Sequence, residues 1–167
     1  MTRLLGIDLG ARRIGLAVAD TDSGAVRPLA TIARADADRD ERTLGAVVRE
    51  QRIDEIVVGL PRNMDGSEGA QAIETRRWAE EVLAGLCLPV GWRDERLTSV
   101  RAEERLGRAS RGRAGGPPSG AARAARRASI DREAAALIVQ DELDARAALH
   151  SSAALDSREW PATRELP

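Results

Sequence analysis

Two apolar segments near the start of the chain, each the length of a β-strand, constrain the fold more than any other feature. Residues 3–9 and 14–19 are strand-like, and the short glycine-containing segment 10–13 joins them, which predicts a β-hairpin. A turn cluster at residues 20–24 is followed by a predicted third strand over about 26–33. The fold is therefore expected to open with three antiparallel strands.

The rest of the chain alternates between helical and strand-like patterns. Helices are predicted at 40–51, 67–85 and 99–107, and strands at 54–60 and 89–94. A last helix is predicted to start near Ile130 and to run to about Leu149. This order predicts an α/β fold with a mixed five-stranded sheet, in which three antiparallel strands are followed by parallel strands, flanked by helices.

Length and composition favour one globular domain, predicted over residues 1–149, with a flexible C-terminal tail over 150–167. Aromatic residues make up only 2% of the chain, so the core must be built from Ala, Val, Leu and Ile. No apolar run approaches the roughly 18 residues of a membrane span. Because there is no signal-peptide core and the single Cys87 cannot form an internal disulfide, we expect a cytoplasmic protein without a membrane partner.

Residues 108–128 depart from the alternating pattern, because they hold six arginines, four glycines and two prolines but no acid. This composition predicts a flexible basic loop. The net charge of −1 argues neither for nor against nucleic acid, so the clustering of charge matters more. The arginines predicted to contact a nucleic-acid backbone are Arg111, Arg113, Arg126 and Arg127. The alternative is a disordered linker in a chain whose basic residues are all arginine, a bias that genomic base composition also explains.

Asp8 is an acidic residue inside the first apolar strand. Burying a carboxylate is costly unless it is paired or binds a cation, so Asp8 is a candidate metal ligand. One alternative is an aspartate that caps a turn at the end of a strand. Another is the phosphate loop of actin-like and sugar-kinase folds, which have two domains and usually far more residues than this chain.

Two further acids, one after a predicted strand and one at the start of a predicted helix, are candidates to join Asp8. Glu95 comes after a strand, where the ligands of such sheets collect, although a weak surface salt bridge is the alternative. Asp131 lies at the start of the last helix, where the helix dipole alone would favour an acid. The small Ala134 and Ala135 would let that helix lie close to the sheet and bring Asp131 near Asp8.

The segment from Gly59 to Ser67 is a predicted strand-to-helix loop, with Ser67 as a possible helix N-cap. Amides at helix N-termini bind phosphate, so Asn63 in this loop is a candidate substrate contact. The alternative is a structured turn without a ligand.

Taken in order, these segments resemble the YqgF (RuvX) family over about residues 3–145. The resemblance rests on Gly6-Ile7-Asp8-Leu9-Gly10, Arg13-Ile14-Gly15-Leu16-Ala17, Gly59-Leu60-Pro61 with Asn63-Met64-Asp65-Gly66, Asp94-Glu95-Arg96-Leu97-Thr98, and Asp131 with Ala134, Ala135 and Gln140. The departures are slight, with Ser99 where a second Thr is usual and Ala19 where Ser often precedes Asp20. Neither departure involves one of the three acids.

This resemblance implies an RNase H-like fold related to Holliday junction resolvases. It also implies a nuclease that matures the 5′ end of pre-16S ribosomal RNA, with an acidic site formed by Asp8, Glu95 and Asp131. Carboxylates select hard ions, so Mg²⁺ or Mn²⁺ is the expected cofactor. We expect Asp8 to bridge two ions and the other two acids to complete their coordination.

Three arginines next to these acids, Arg12, Arg13 and Arg96, are predicted to steer or clamp the phosphate of the substrate. The substrate stays open between precursor ribosomal RNA and branched DNA. A junction resolvase is expected to act as a homodimer, whereas an RNA-processing nuclease can be a monomer. A non-catalytic nucleic-acid-binding factor and an actin-like phosphotransferase are the remaining alternatives.

Overall fold

A computed structural model describes residues 2–95, 98–107 and 119–156. Its strands are β1 (Arg3–Leu9), β2 (Arg13–Asp20), β3 (Val26–Ala33), β4 (Glu55–Leu60) and β5 (Val90–Asp94). Its α-helices are α1 (Ala37–Gln51), α2 (Ala70–Val82), α3 (Thr98–Leu106) and α4 (Gly120–Asp156), and a 3₁₀ turn covers Ala84–Leu86.

The five strands form one mixed sheet in the order β3-β2-β1-β4-β5. Strands β1, β2 and β3 pair antiparallel, as the short connections between them require. Strand β4 lies parallel to β1, and β5 lies parallel to β4, each after a helical crossover. The predicted α/β architecture, three antiparallel strands followed by parallel strands, is confirmed.

Helices cover both faces of the sheet, because residues of β1 alternate between two apolar cores. Leu5 and Ile7 point to one face, where they join a core that includes Leu44 of α1 and Val82 of α2. Leu4 points to the other face and packs with residues of α4. As the composition predicted, the buried apolar side chains in the described ranges are Leu, Ile, Val and Ala, with one Trp. Within those ranges, no helix has both the length and the apolarity needed to cross a bilayer.

Helix α4 is much longer than predicted. It begins at Gly120 rather than near Ile130, and it continues to Asp156, past the expected end at Leu149. The added first turns are rich in Ala and Arg, which favour helix, and the Ser119 side chain caps them by accepting from the backbone N–H of Ala122 at 3.2 Å. The prediction of a loop up to residue 128 was therefore wrong from residue 120 onward, whereas residues 108–118 and 157–167 lie outside the described residues.

Helix α2 is shorter than the 67–85 predicted for it. It begins at Ala70 with Gly69 as its N-cap residue, and Gly69 has no side chain to make a capping hydrogen bond. Ser67 is therefore not the N-cap. Its hydroxyl instead donates to Oδ1 of Asp65 at 2.6 Å and accepts from Nδ2 of Asn63 at 2.9 Å, inside the preceding loop.

Candidate active site

Asp8 and Glu95 meet at the end of the two central parallel strands. Asp8 is the penultimate residue of β1 and pairs with Gly15 of β2 in the antiparallel ladder. Glu95 follows β5, and its backbone N–H donates to the carbonyl of Leu60 at 3.1 Å, which holds it beside the end of β4. The two carboxyl groups share a hydrogen bond. The structure thus places Glu95 beside Asp8, and their role as metal ligands stays a prediction.

The electrostatics of this pair are those of two acids that do not ionise together. Burial raises the pKa of Asp8, the hydrogen bond with Glu95 opposes that rise, and the negative charge of Asp131 adds to it. Burial and then the charge of Asp8 raise the pKa of Glu95. The pair therefore retains a proton unless a cation replaces it, and its oxygen atoms are the donors that hard divalent ions prefer. The chemistry of the pair fits Mg²⁺ or Mn²⁺.

Asp131 lies inside α4, not at the start of the helix as predicted, because α4 already begins at Gly120. Its charge is close enough to act on Asp8. Its carboxylate is bound by Arg13, whose Nε donates to Oδ2 at 2.5 Å. In the described part of the chain, no group of three or more acidic, histidine or cysteine side chains is arranged to hold a metal ion. The structure thus brings Asp8 and Glu95 together and places Asp131 nearby with an arginine on its carboxylate.

Glycines on three adjacent strands let α4 lie this close to the sheet. A Cβ at Gly6 would meet the carbonyl oxygen of Ala135 at 2.6 Å, and one at Gly15 would meet that of Asp131 at 2.0 Å. A Cβ at Gly59 would lie 2.5 Å from Cδ1 of Ile138. These glycines were not predicted to have this role, although glycine inside a strand is itself a signal of close backbone approach.

The candidate substrate-contact residues are only partly described. Arg12 and Arg127 are exposed. Arg126 donates from Nη2 to the carbonyl of Gly107 at 2.6 Å, so it ties α4 to the end of α3. Of the other arginines predicted to contact phosphate, Arg13 is bound to Asp131. Arg96, Arg111 and Arg113 lie outside the described residues.

Asn63 is engaged with its own loop. Its backbone N–H donates to the carbonyl of Ser67 at 2.9 Å, and its carbonyl accepts from the N–H of Gly66 at 2.8 Å. Asn63 is exposed, so its side chain lies at a surface that a substrate can reach. The contacts shown support a structured loop, and a role toward phosphate stays a prediction.

The fold is similar to that of solved RuvC structures. Thermus thermophilus RuvC in complex with a Holliday junction substrate aligns with a TM-score of 0.52 at 16% identity, covering 89% of this chain and 97% of that chain. Another Thermus thermophilus RuvC structure aligns with a TM-score of 0.51 at 18% identity, covering 88% and 97%. At these identities the likeness concerns the fold, which is the RNase H-like fold of RuvC-like resolvases.

Sequence relatives are much closer. A protein of Synechococcus elongatus is 43% identical over 140 residues, covering 84% of this chain and 87% of its own length. A protein of Anaeromyxobacter sp. strain Fw109-5 is 42% identical over 144 residues, covering 86% and 98%. Both carry names that make them candidate pre-16S rRNA nucleases. Residues 2–145 match the model of RuvX, described as Holliday junction resolvase, and the chain therefore belongs to the RuvX family.

Proposed function

We propose that this chain is a divalent-metal-dependent nuclease that hydrolyses phosphodiester bonds during 5′-end maturation of pre-16S ribosomal RNA in the cytoplasm. The observation that carries the proposal is the carboxyl pair of Asp8 and Glu95, which share a hydrogen bond at the end of the central strands. Membership of the RuvX family supports nuclease chemistry, and the names of the close relatives favour the ribosomal RNA precursor.

The proposed cofactor is Mg²⁺ or Mn²⁺, held by Asp8 and Glu95 with Asp131 as the third acid. Such an ion, when bound, lowers the pKa of water and stabilises charge on the phosphodiester. The protein supplies oxygen donors at the ends of the central strands, where Asp8 and Glu95 are largely shielded from solvent. The hydrogen bond from Arg13 occupies Oδ2 of Asp131, so a cation would compete with Arg13 for that oxygen.

Arginines around this site are proposed to hold the sugar–phosphate backbone. Arg12 is exposed in the β1–β2 connection, next to the site, and Arg127 is exposed on the first turns of α4. We propose the same role for Asn63, Arg96, Arg111 and Arg113. Contacts to phosphate give affinity and register but little sequence specificity, and they weaken with salt.

A cleavage assay tests the proposal. Precursor 16S ribosomal RNA and a four-way DNA junction are incubated with the protein and Mn²⁺, and Asp8→Asn is compared with the unaltered chain. We expect cleavage of the RNA precursor and its loss in Asp8→Asn, whereas Asp38→Asn, at an exposed position of α1, should cleave normally. Equal cleavage by Asp8→Asn would refute the proposed site. Binding of either substrate without cleavage would make the protein a non-catalytic nucleic-acid-binding factor.

The description of the family model favours a second candidate function, resolution of Holliday junctions. A resolvase must make paired cuts in two strands, so it is expected to be a homodimer. Cleavage of the junction in preference to the RNA, together with a dimeric mass in solution, would establish this alternative. A monomer that cuts only the RNA precursor would exclude it.

A further inference from the structure

We infer that Arg13 is an exchangeable counter-ion that couples substrate binding to assembly of the metal site. It occupies the carboxylate of Asp131 in the free protein and passes to a substrate phosphate in the complex, which releases Asp131 to join Asp8 and Glu95. The inference rests on the proposed nuclease function and deepens it.

The starting observation is the ion pair between the first residue of β2 and α4. Nε of Arg13 lies 2.5 Å from Oδ2 of Asp131, and the two side chains are 36% and 21% exposed, so both groups can be reached from solvent. To other described residues, Arg13 makes no side-chain hydrogen bond apart from this one through Nε. The two Nη atoms of the Arg13 guanidinium therefore remain available to bind a phosphate from the solvent side.

Only the side chain of Arg13 has to move in such an exchange. Its backbone is held at the start of β2, where its carbonyl accepts from the N–H of Gly10 at 2.8 Å. Asp131 is equally fixed, since its own backbone lies against Gly15 of the sheet. A change of partner by one flexible side chain thus alters the ligand set without any rearrangement of the fold.

The charges favour an exchange of this kind. The negative charges of Asp131 and Asp8 repel each other, and Arg13 offsets part of that repulsion because its charge acts on both. A divalent ion offsets the same repulsion, so Arg13 and the ion compete for Asp131. A phosphodiester is a good alternative partner for a guanidinium, which binds phosphate through two parallel hydrogen bonds. Substrate and metal should therefore strengthen each other's binding, and this coupling must be reciprocal.

The alternative is that the pair only fastens α4 to β2. In that case Arg13 would stay on Asp131 when nucleic acid binds, and nucleic acid would not change the availability of Asp131 to a cation. The two possibilities differ in the Mn²⁺ affinity of the protein with and without nucleic acid, which is a binding measurement and does not depend on cleavage.

The experiment measures the dissociation constant of Mn²⁺ by electron paramagnetic resonance of the free ion, at constant ionic strength. Titrations are done with and without a single-stranded phosphorothioate oligonucleotide, whose charged backbone resists hydrolysis. For the unaltered chain we expect the oligonucleotide to tighten Mn²⁺ binding by about tenfold. In Arg13→Gln, Mn²⁺ should bind more tightly than to the unaltered chain even without the oligonucleotide, and the oligonucleotide should add less than about twofold.

Three further variants separate exchange from general electrostatics. Asp131→Asn should remove the coupling, because the amide has no charge for Arg13 and the metal ion to compete for. Arg12→Gln is the matched control, since it removes a neighbouring exposed arginine; it should weaken oligonucleotide binding but leave the coupling factor unchanged. If Arg13→Gln fails to fold, Arg13→Lys replaces it, because lysine keeps the charge but cannot form the two-point contact, and its coupling should be smaller.

The outcomes are distinguishable from those that bear on the proposed function. Mn²⁺ binding that does not respond to the oligonucleotide, or that responds equally in Arg13→Gln, overturns this inference and leaves the nuclease proposal standing. No Mn²⁺ binding under either condition overturns both. An equal loss of coupling in Arg12→Gln would show a general charge effect and would also overturn the exchange.

Discussion

Asp8 and Gly15 are cross-strand neighbours in the β1–β2 ladder, and the backbone of Asp131 lies where a side chain of Gly15 would be. The candidate ligand on β1 and the candidate ligand on α4 are thus brought together through a residue that has no side chain. This relationship explains how a helix more than a hundred residues along the chain can supply an acid to a site on the first strand.

Gly15→Ala is the direct test of this arrangement. The added Cβ would lie 2.0 Å from the carbonyl oxygen of Asp131, so the helix or the strand must shift. We expect the free energy of unfolding, measured by urea denaturation, to fall by about 3 kcal/mol. Gly91→Ala is the matched control in β5, because its Cβ would come no nearer than 3.9 Å to the carbonyl oxygen of Ile56. Equal stability of the two variants would contradict the close approach of α4.

Asp8→Asn should make the metal-free protein more stable while removing its response to metal. The amide preserves the size of the side chain and can still form a hydrogen bond with Glu95, but it removes a charge that burial disfavours and that Asp131 repels. We expect the free energy of unfolding without metal to rise by about 1 kcal/mol. For the unaltered chain, Mn²⁺ at a hundred times its dissociation constant should add about 2.7 kcal/mol, and for Asp8→Asn it should add nothing.

Thermal melts in chelator and in Mn²⁺ check both parts of that expectation. Asp38→Asn, an exposed acid in the first turn of α1, serves as the control and should behave like the unaltered chain in the metal titration. A melting temperature of Asp8→Asn that rises with Mn²⁺ as much as that of the unaltered chain would show that the ion is bound elsewhere.

Glu142 should make stability depend on pH. Its carboxylate accepts hydrogen bonds from Nε of Arg93 and from Nε of Arg146, the latter at 2.6 Å, and Arg146 also binds Glu55 of β4. Burial acts to raise the pKa of Glu142, but the two arginines together outweigh it, so the pKa lies below its ordinary value of 4.5. A lowered pKa stabilises the fold above pH 4.5, and this contribution is lost as the pH falls below that value.

Glu142→Gln removes this contribution. We expect it to cost about 2 kcal/mol of unfolding free energy near pH 7, where the native carboxylate is charged. Urea denaturation of both proteins across the acid range should show the difference shrinking as the pH falls through the pKa of Glu142. A difference that stays constant with pH would contradict an ionised Glu142 as its cause.

Arg127→Gln tests whether the first turns of α4 bind a nucleic-acid backbone. Arg127 is exposed there, so its loss should weaken binding about equally for all sequences and reduce the salt slope by about one. Affinities are measured by fluorescence anisotropy over a range of salt concentrations. Arg42→Gln, on α1 at the opposite face of the sheet, should leave the slope unchanged. Equal slopes for the two variants would exclude this part of α4 from the interface.

Local patterns of residues were enough to predict most of the fold. The apolar runs that contain Asp8 and Gly15, together with the short connection between them, predicted a hairpin, and β1 and β2 form one. The start of α4 was not predicted, because the Ala- and Arg-rich residues from 120 onward were assigned to the same loop as the glycines and prolines before them. These first turns of α4 also pack on β3. There Oγ1 of Thr31 donates to the carbonyl of Ala128 at 2.6 Å. That contact joins residues 97 positions apart, so no local pattern could predict it.

What the sequence by itself supplied is three candidate acids and the position of two of them, Asp8 and Glu95, at the ends of strands, because these follow from local hydrophobic patterns and a family resemblance. Asp131 was expected at the start of the last helix, but it lies inside α4. What only the tertiary structure decided is which acids stand together. Glu95 shares a hydrogen bond with Asp8, whereas Asp131 is held by Arg13. The reason is physical: carboxylates at close range cannot all remain charged without a cation, and which cation lies nearest depends on the packing of α4 against the sheet.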